Sequence, residues 1–137
     1  MSASYLARWD SLRSEGFDPV ALWQRVGEDM GLLRDVVRIF VAESPQMLRN
    51  IEDAVERKDA CALQKASHKL RGSLLQFAAS AASAAAADVE RSAARISIHE
   101  ARPSLDKLKA EIDALTQALR AMTSEDGPGF DQTAENI

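Results

Sequence analysis

The chain has 137 residues, 17 basic against 21 acidic side chains, a net charge of −4 and one cysteine. That length suits a single domain with a short tail, the acidic balance argues against general nucleic-acid binding, and one cysteine excludes an internal disulfide. No apolar run approaches the ~18 residues of a membrane span, and MSASYLARWD lacks the apolar core of a signal peptide, so a soluble cytoplasmic protein is expected.

Strand signals are missing. Aromatic residues are few, no period-2 segment stands out, and Asp126-Gly127 lies in a polar tail rather than between alternating apolar runs. Alanine and leucine at helical spacing predict an all-α fold.

In chain order, Leu6, Trp9 and Leu12 predict a short helix over 5–13, ended by Gly16. Asp18 is a good N-cap and Pro19 suits the first helical position, with Val20, Trp23 and Val26 as the buried stripe and Gly27 as the stop. A long segment follows, its apolar stripe running through Met30, Leu33, Val37, Phe40, Met47, Ile51 and Val55. The phase survives Ser44-Pro45, which favours one kinked helix over two. Asp59 caps a third helix, DACALQKASHKLRGSLLQF, with a break near 78–80. SAASAAAADVERSAARI reads as an alanine-rich helix whose small side chains admit close neighbours. HEARPS is a connection, and Pro103 and Ser104 open the last helix. Its seam of Leu105, Leu108, Ile112, Leu115, Leu119 and Met122 has bundle or coiled-coil spacing. The expected architecture is an antiparallel up-down four-helix bundle over 17–122, with a helical extension over 1–16 and a disordered tail over 123–137.

The third helix carries the functional signal. On a wheel of roughly 100° per residue with His68 at zero, Leu63, Leu70, Leu74 and Phe77 fall at about 180° to 240°. His68 therefore points away from the core, on a face shared with Cys61, Gln64, Lys65, Arg71, Gly72 and Leu75. An exposed histidine alone is an ordinary surface residue. Gly72, one turn on, costs a helix about 1 kcal/mol relative to alanine, and no turn or cap needs it. Its missing Cβ leaves space for another molecule to approach. Arg71 adds a permanent charge that can hold phosphate oxygens. A neutral imidazole is a competent nucleophile near pH 7, and its phosphoramidate suits reversible transfer. The chain has no Walker loop, no kinase motif set and no acidic metal cluster, so it should bind neither ATP nor a metal of its own.

Other candidates have simpler readings. His99 looks like a solvated residue at a helix connection, Cys61 like an inert thiol, and Trp9 and Trp23 like packing anchors. Lys65 and Lys69 are either solvated charges or steering charges for an acidic cleft. The Glu-x-x-His pairs of di-iron bundles are absent.

ASHKLRGS resembles the signature of histidine-containing phosphotransfer (HPt) domains, which usually reads A-H-x-L-K-G-S. The preceding half is similar too, through Gly27 and Asp29 and then Phe40, Pro45 and Leu48. The resemblance covers roughly 17–122. It implies a bundle that carries phosphoryl groups between aspartates of receiver domains in a multistep phosphorelay, supplied by a hybrid sensor histidine kinase. His68 would be phosphorylated. Arg71 stands at the family's lysine and would stabilise the phosphoryl group or orient the imidazole. Glu90 matches a polar position that often bonds the other ring nitrogen. Ser73 and Phe77 match helix-packing positions. Gln64, Lys65, Lys69, Gly72, Leu75 and Gln76 would meet the partner, which also brings the magnesium; no cofactor belongs to the chain itself. Ser67 for alanine, Arg71 for lysine, Leu74-Leu75 for small residues and alanine for glycine in FAAS depart from the pattern. Leu75 is either incidentally exposed or a docking contact, and the apolar patch that docking needs favours the contact. The rival readings are a non-phosphorylated binding module that regulates a receiver or kinase, and a self-associating bundle. Packing within one bundle explains the last seam, so a monomer is expected.

Overall fold

Acidic caps set the helix starts. The computed structural model describes residues 9–14, 16–94 and 101–124. Helix α1 is Pro19–Arg25, with Asp18 accepting from the amides of Val20 and Ala21 at 3.1 Å each. The Ala21 amide holds the Asp18 carboxyl below the usual carboxylate range, and the Arg13 guanidinium 3.1 Å away adds to it. Helix α2 is Met30–Glu56, capped by Asp29 on the Leu32 amide at 3.0 Å. Helix α3 is Ala60–Gln76, capped by Asp59 on the Ala62 amide at 3.0 Å. Helices α4, Ser80–Ala94, and α5, Ala101–Thr123, follow. Each cap satisfies a first-turn N–H that has no acceptor within the helix.

Left-handed residues make the short reversals. Gly27 and Glu28, at φ 68° and 57°, separate α1 from α2; Lys58, at 55°, separates α2 from α3; and Ala78, at 54°, separates α3 from α4. The short links after α2 and α3 turn α3 and α4 back against the helix before them. Helix α2 packs on α3 and α5, and α4 packs on α3 and α5, closing a four-helix ring. Leu33, Ile51, Leu63, Leu70, Leu74, Leu105, Leu108 and Leu119 fill its centre and are fully buried. Ala82, Ala85, Ala86 and Ala93 form the inner face of α4 and let both neighbours come close. Across the end of the bundle, Trp9 is fully buried edge-on to Trp23, with ring centroids 5.0 Å apart, so the segment before α1 shares the main core.

Pro45 lies inside a single α2. Several details differ from the sequence expectation. In α1, Leu22 is buried with Trp23, whereas Val20 is only half-buried. Helix α5 begins at Ala101, so Pro103 sits within its first turn rather than at its opening. Proline is tolerated there because first-turn amides have no intrahelical acceptor to lose. At the other end α5 includes Thr123, and the Ser124 amide still reaches the Arg120 carbonyl at 2.8 Å. The rest of the expected tail, residues 5–8 of the helix expected over 5–13, and His99 lie outside the described residues; within 9–13 the helix ends at Asp10 and a turn follows. Among the described residues no helix is long and apolar enough to cross a membrane.

Candidate functional site

The third helix turns Leu63, Ser67, Leu70 and Leu74 inward. Ser67, fully buried, donates its hydroxyl to the Leu63 carbonyl at 2.6 Å, so its polar atom is satisfied within the helix. This inward row fixes the opposite face outward. His68 stands there with its side chain 65% exposed.

Glu90 comes to it from α4, the helix packed beside α3. Its carboxylate is 18% exposed, and Oε2 lies 3.0 Å from His68 Nδ1. Arg71, one turn after His68, reaches the same place. Its Nε lies 3.3 Å from Glu90 Oε1, and its Nη2 lies 3.2 Å from His68 Nδ1. His68, Arg71 and Glu90 thus form one network along one edge of the imidazole. The other ring nitrogen, Nε2, makes no hydrogen bond among the described residues. A carboxylate can only accept, so the 3.0 Å contact is a hydrogen bond when Nδ1 carries the proton. That tautomer leaves a lone pair on Nε2.

Among the described residues, the same face of α3 is open one turn on. A Cβ built on Gly72 meets no heavy atom within 4 Å. Gln64, Lys65, Lys69 and Gln76 are exposed around it, as is Cys61. Leu75 is 56% exposed. Beyond it lies an apolar groove where Leu22, Val26, Leu32, Val36, Leu75 and Phe77 meet. Arg25 closes one side by donating to the Leu75 carbonyl, which also satisfies a last-turn acceptor of α3. Leu32, 45% exposed, and Ile39, 55% exposed, lie with Val36 on one row of α2.

Reasoning from sequence missed Leu32, Val36 and Ile39 as a surface feature. Their spacing of four and three residues was a readable signal, because the inward stripe of α2 already has Leu33, Val37 and Phe40 and does not need a second apolar row. The shared grip of Arg71 and Glu90 had no signal along the chain, since it depends on how α4 lies against α3.

Comparison with curated proteins and with solved structures found no match. The family model described as Hpt domain does match, over residues 35–120, which is more than half of the chain and includes His68, Arg71 and Glu90. The chain therefore belongs to the Hpt domain family.

Proposed function

We propose that this protein is a phosphoryl carrier of a multistep phosphorelay, taking a phosphoryl group on His68 from one receiver-domain aspartate and passing it to another. Family membership supports the class of reaction, histidine phosphotransfer with receiver and kinase partners. The observation that carries the assignment to His68 is its ring: Nδ1 engaged by Glu90 at 3.0 Å, and Nε2 without a hydrogen bond among the described residues on a side chain 65% exposed.

In the forward step the Nε2 lone pair attacks the phosphorus of an aspartyl phosphate. The P–N bond forms as the P–O bond to the aspartate breaks, and the aspartate leaves as a carboxylate. The ring keeps its Nδ1 proton and becomes cationic, next to the anionic Glu90. A charge-assisted Nδ1–H···O bond is stronger than a neutral one, so Glu90 stabilises charge as it develops. The reverse step onto a second receiver restores neutral imidazole. The receiver supplies the magnesium. Lys65 and Lys69 present positive charge to its acidic cleft, and Leu75 with the adjoining groove offers an apolar area within about 10 Å of His68 along the helix. A standard interface of about 800 Å² per partner, centred on His68, would cover both.

The test mixes the full chain with a receiver phosphorylated on aspartate, alongside His68→Gln. The expected result is label on the wild type that is stable to base, lost in acid and absent from the variant. A His68→Gln protein that still relays label overturns the assignment. Receiver binding without transfer would turn the reading to a regulatory binding module.

A further inference from the structure

The side chain at position 71 stands on the wrong edge of the imidazole to meet a phosphoryl group on Nε2. Its guanidinium lies 3.2 Å from Nδ1 and 3.3 Å from Glu90 Oε1, both on the edge facing α4. Arg71 and Glu90 compete for the same ring nitrogen, and they require opposite protonation of it. Arginine can only donate, so Nη2 bonds Nδ1 only when that atom carries a lone pair. The carboxylate can only accept, so Oε2 bonds Nδ1 only when it carries the proton.

The two arrangements are not equal. With a lone pair on Nδ1, Glu90 Oε2 would face it at 3.0 Å, acceptor against acceptor. With a proton there, Oε2 accepts from the ring while Oε1 keeps its contact with Arg71 Nε. Both carboxylate oxygens are then engaged, which matters for a group only 18% exposed. The protonated arrangement sets Nη2 against Nδ1–H, donor against donor, but Nη2 belongs to a side chain 36% exposed and can turn to water, whereas the carboxylate cannot.

We infer that Arg71 is a positioning residue that works through Glu90: it fixes the carboxylate so that His68 keeps its proton on Nδ1 and offers the Nε2 lone pair. The inference rests on the phosphoryl-carrier reading above. It gives the replacement of lysine by arginine a physical meaning. A planar guanidinium holds Oε1 through Nε in a fixed orientation, whereas an ammonium is a point charge on a flexible stem.

Two measurements on the full chain decide it. The first is the pair of His68 ring ¹⁵N shifts in the free protein, at a pH where the imidazole is neutral. The wild type should show the Nδ1–H tautomer in excess. Arg71→Gln should lose that excess, and Arg71→Lys should keep most of it, because one N–H on Oε1 still anchors the carboxylate. The second is a double-mutant cycle on transfer from a phosphorylated receiver. Arg71→Gln should slow transfer about tenfold, the size of one hydrogen bond to a charged group. In a Glu90→Ala background the same change should slow it less than about twofold, since the group it acts through is gone. Wild-type ¹⁵N shifts in Arg71→Gln, or an equal loss in both backgrounds, would overturn the inference and assign Arg71 to the phosphoryl group itself. If the wild type accepts no phosphoryl group, the carrier reading fails, while the tautomer measurement still decides what Arg71 does to the ring.

Discussion

At Gly16 the chain runs hard against α4; at Gly72 it runs past open solvent. A Cβ on Gly16 would stand 2.2 Å from the Ala81 Cβ and 3.3 Å from the Ala81 Cα and amide nitrogen. The Ala81 amide also donates to the Gly16 carbonyl at 3.3 Å, so the close approach is built into the joint between the N-terminal segment and α4. A Cβ on Gly72 would meet nothing. The fold demands the first glycine and gains nothing from the second, which sits in a helix interior at a cost of about 1 kcal/mol. A residue that the folded chain does without, one turn from an exposed nucleophile, is explained by what must reach that nucleophile.

The largest effect that tests this contrast belongs to Gly16. Gly16→Ala forces a shift of α4 or of the segment before α1, and should cost about 1–3 kcal/mol, read as a lower denaturant midpoint. Transfer per folded molecule should not change. An unaltered midpoint would mean that the joint yields freely, and the contrast with Gly72 would lose its first half. Gly72→Ala comes next and has the opposite signs. It should raise stability by about 1 kcal/mol through helix propensity and slow phosphoryl transfer from a receiver. A variant that is stabilised and transfers at the wild-type rate would show that no partner atom needs the missing Cβ.

The contrast also marks how far the sequence could be read. Asp18, Asp29 and Asp59 cap their helices because a carboxylate before an apolar-periodic run is a local device, and local devices are visible in local sequence. His68 could be placed on the wet face because Leu63, Leu70 and Leu74 fix the phase of α3. Gly72 could be read as costly for the same reason. Gly16 could only be read as a helix stop, since its contact is with Ala81, 65 positions along the chain. Glu90 entered through the family resemblance alone, and its grip on both Nδ1 and Arg71 follows from the close packing of an alanine-rich α4 against α3. The start of α5 at Ala101 was hidden by Pro103, because a proline is allowed at several positions of a first turn and marks none of them.

The smallest effect sharpens the contrast most. Ala78 holds φ 54° in the turn that ends α3, where an L side chain crowds the following carbonyl at a cost of roughly 1–2 kcal/mol. Its amide reaches the Leu75 carbonyl at 3.4 Å, and its carbonyl accepts from the Asp18 amide at 3.2 Å, so the turn is held whatever residue stands there. Ala78→Gly removes the crowding but loosens the unfolded chain, which offsets about 0.4–1 kcal/mol of the gain. The expected net is a stabilisation of about 0.5 kcal/mol, seen as a rise of roughly 1–3 °C in Tm, with transfer unchanged. Joined with Gly72→Ala, it gives a protein of the same composition as the wild type, with one alanine and one glycine exchanged six positions apart. That protein should be more stable than the wild type and a poorer carrier, its loss of transfer equal to that of Gly72→Ala alone. If Ala78→Gly by itself also slows transfer, the end of α3 is sensitive as a whole, and the argument that Gly72 serves a partner's approach no longer stands.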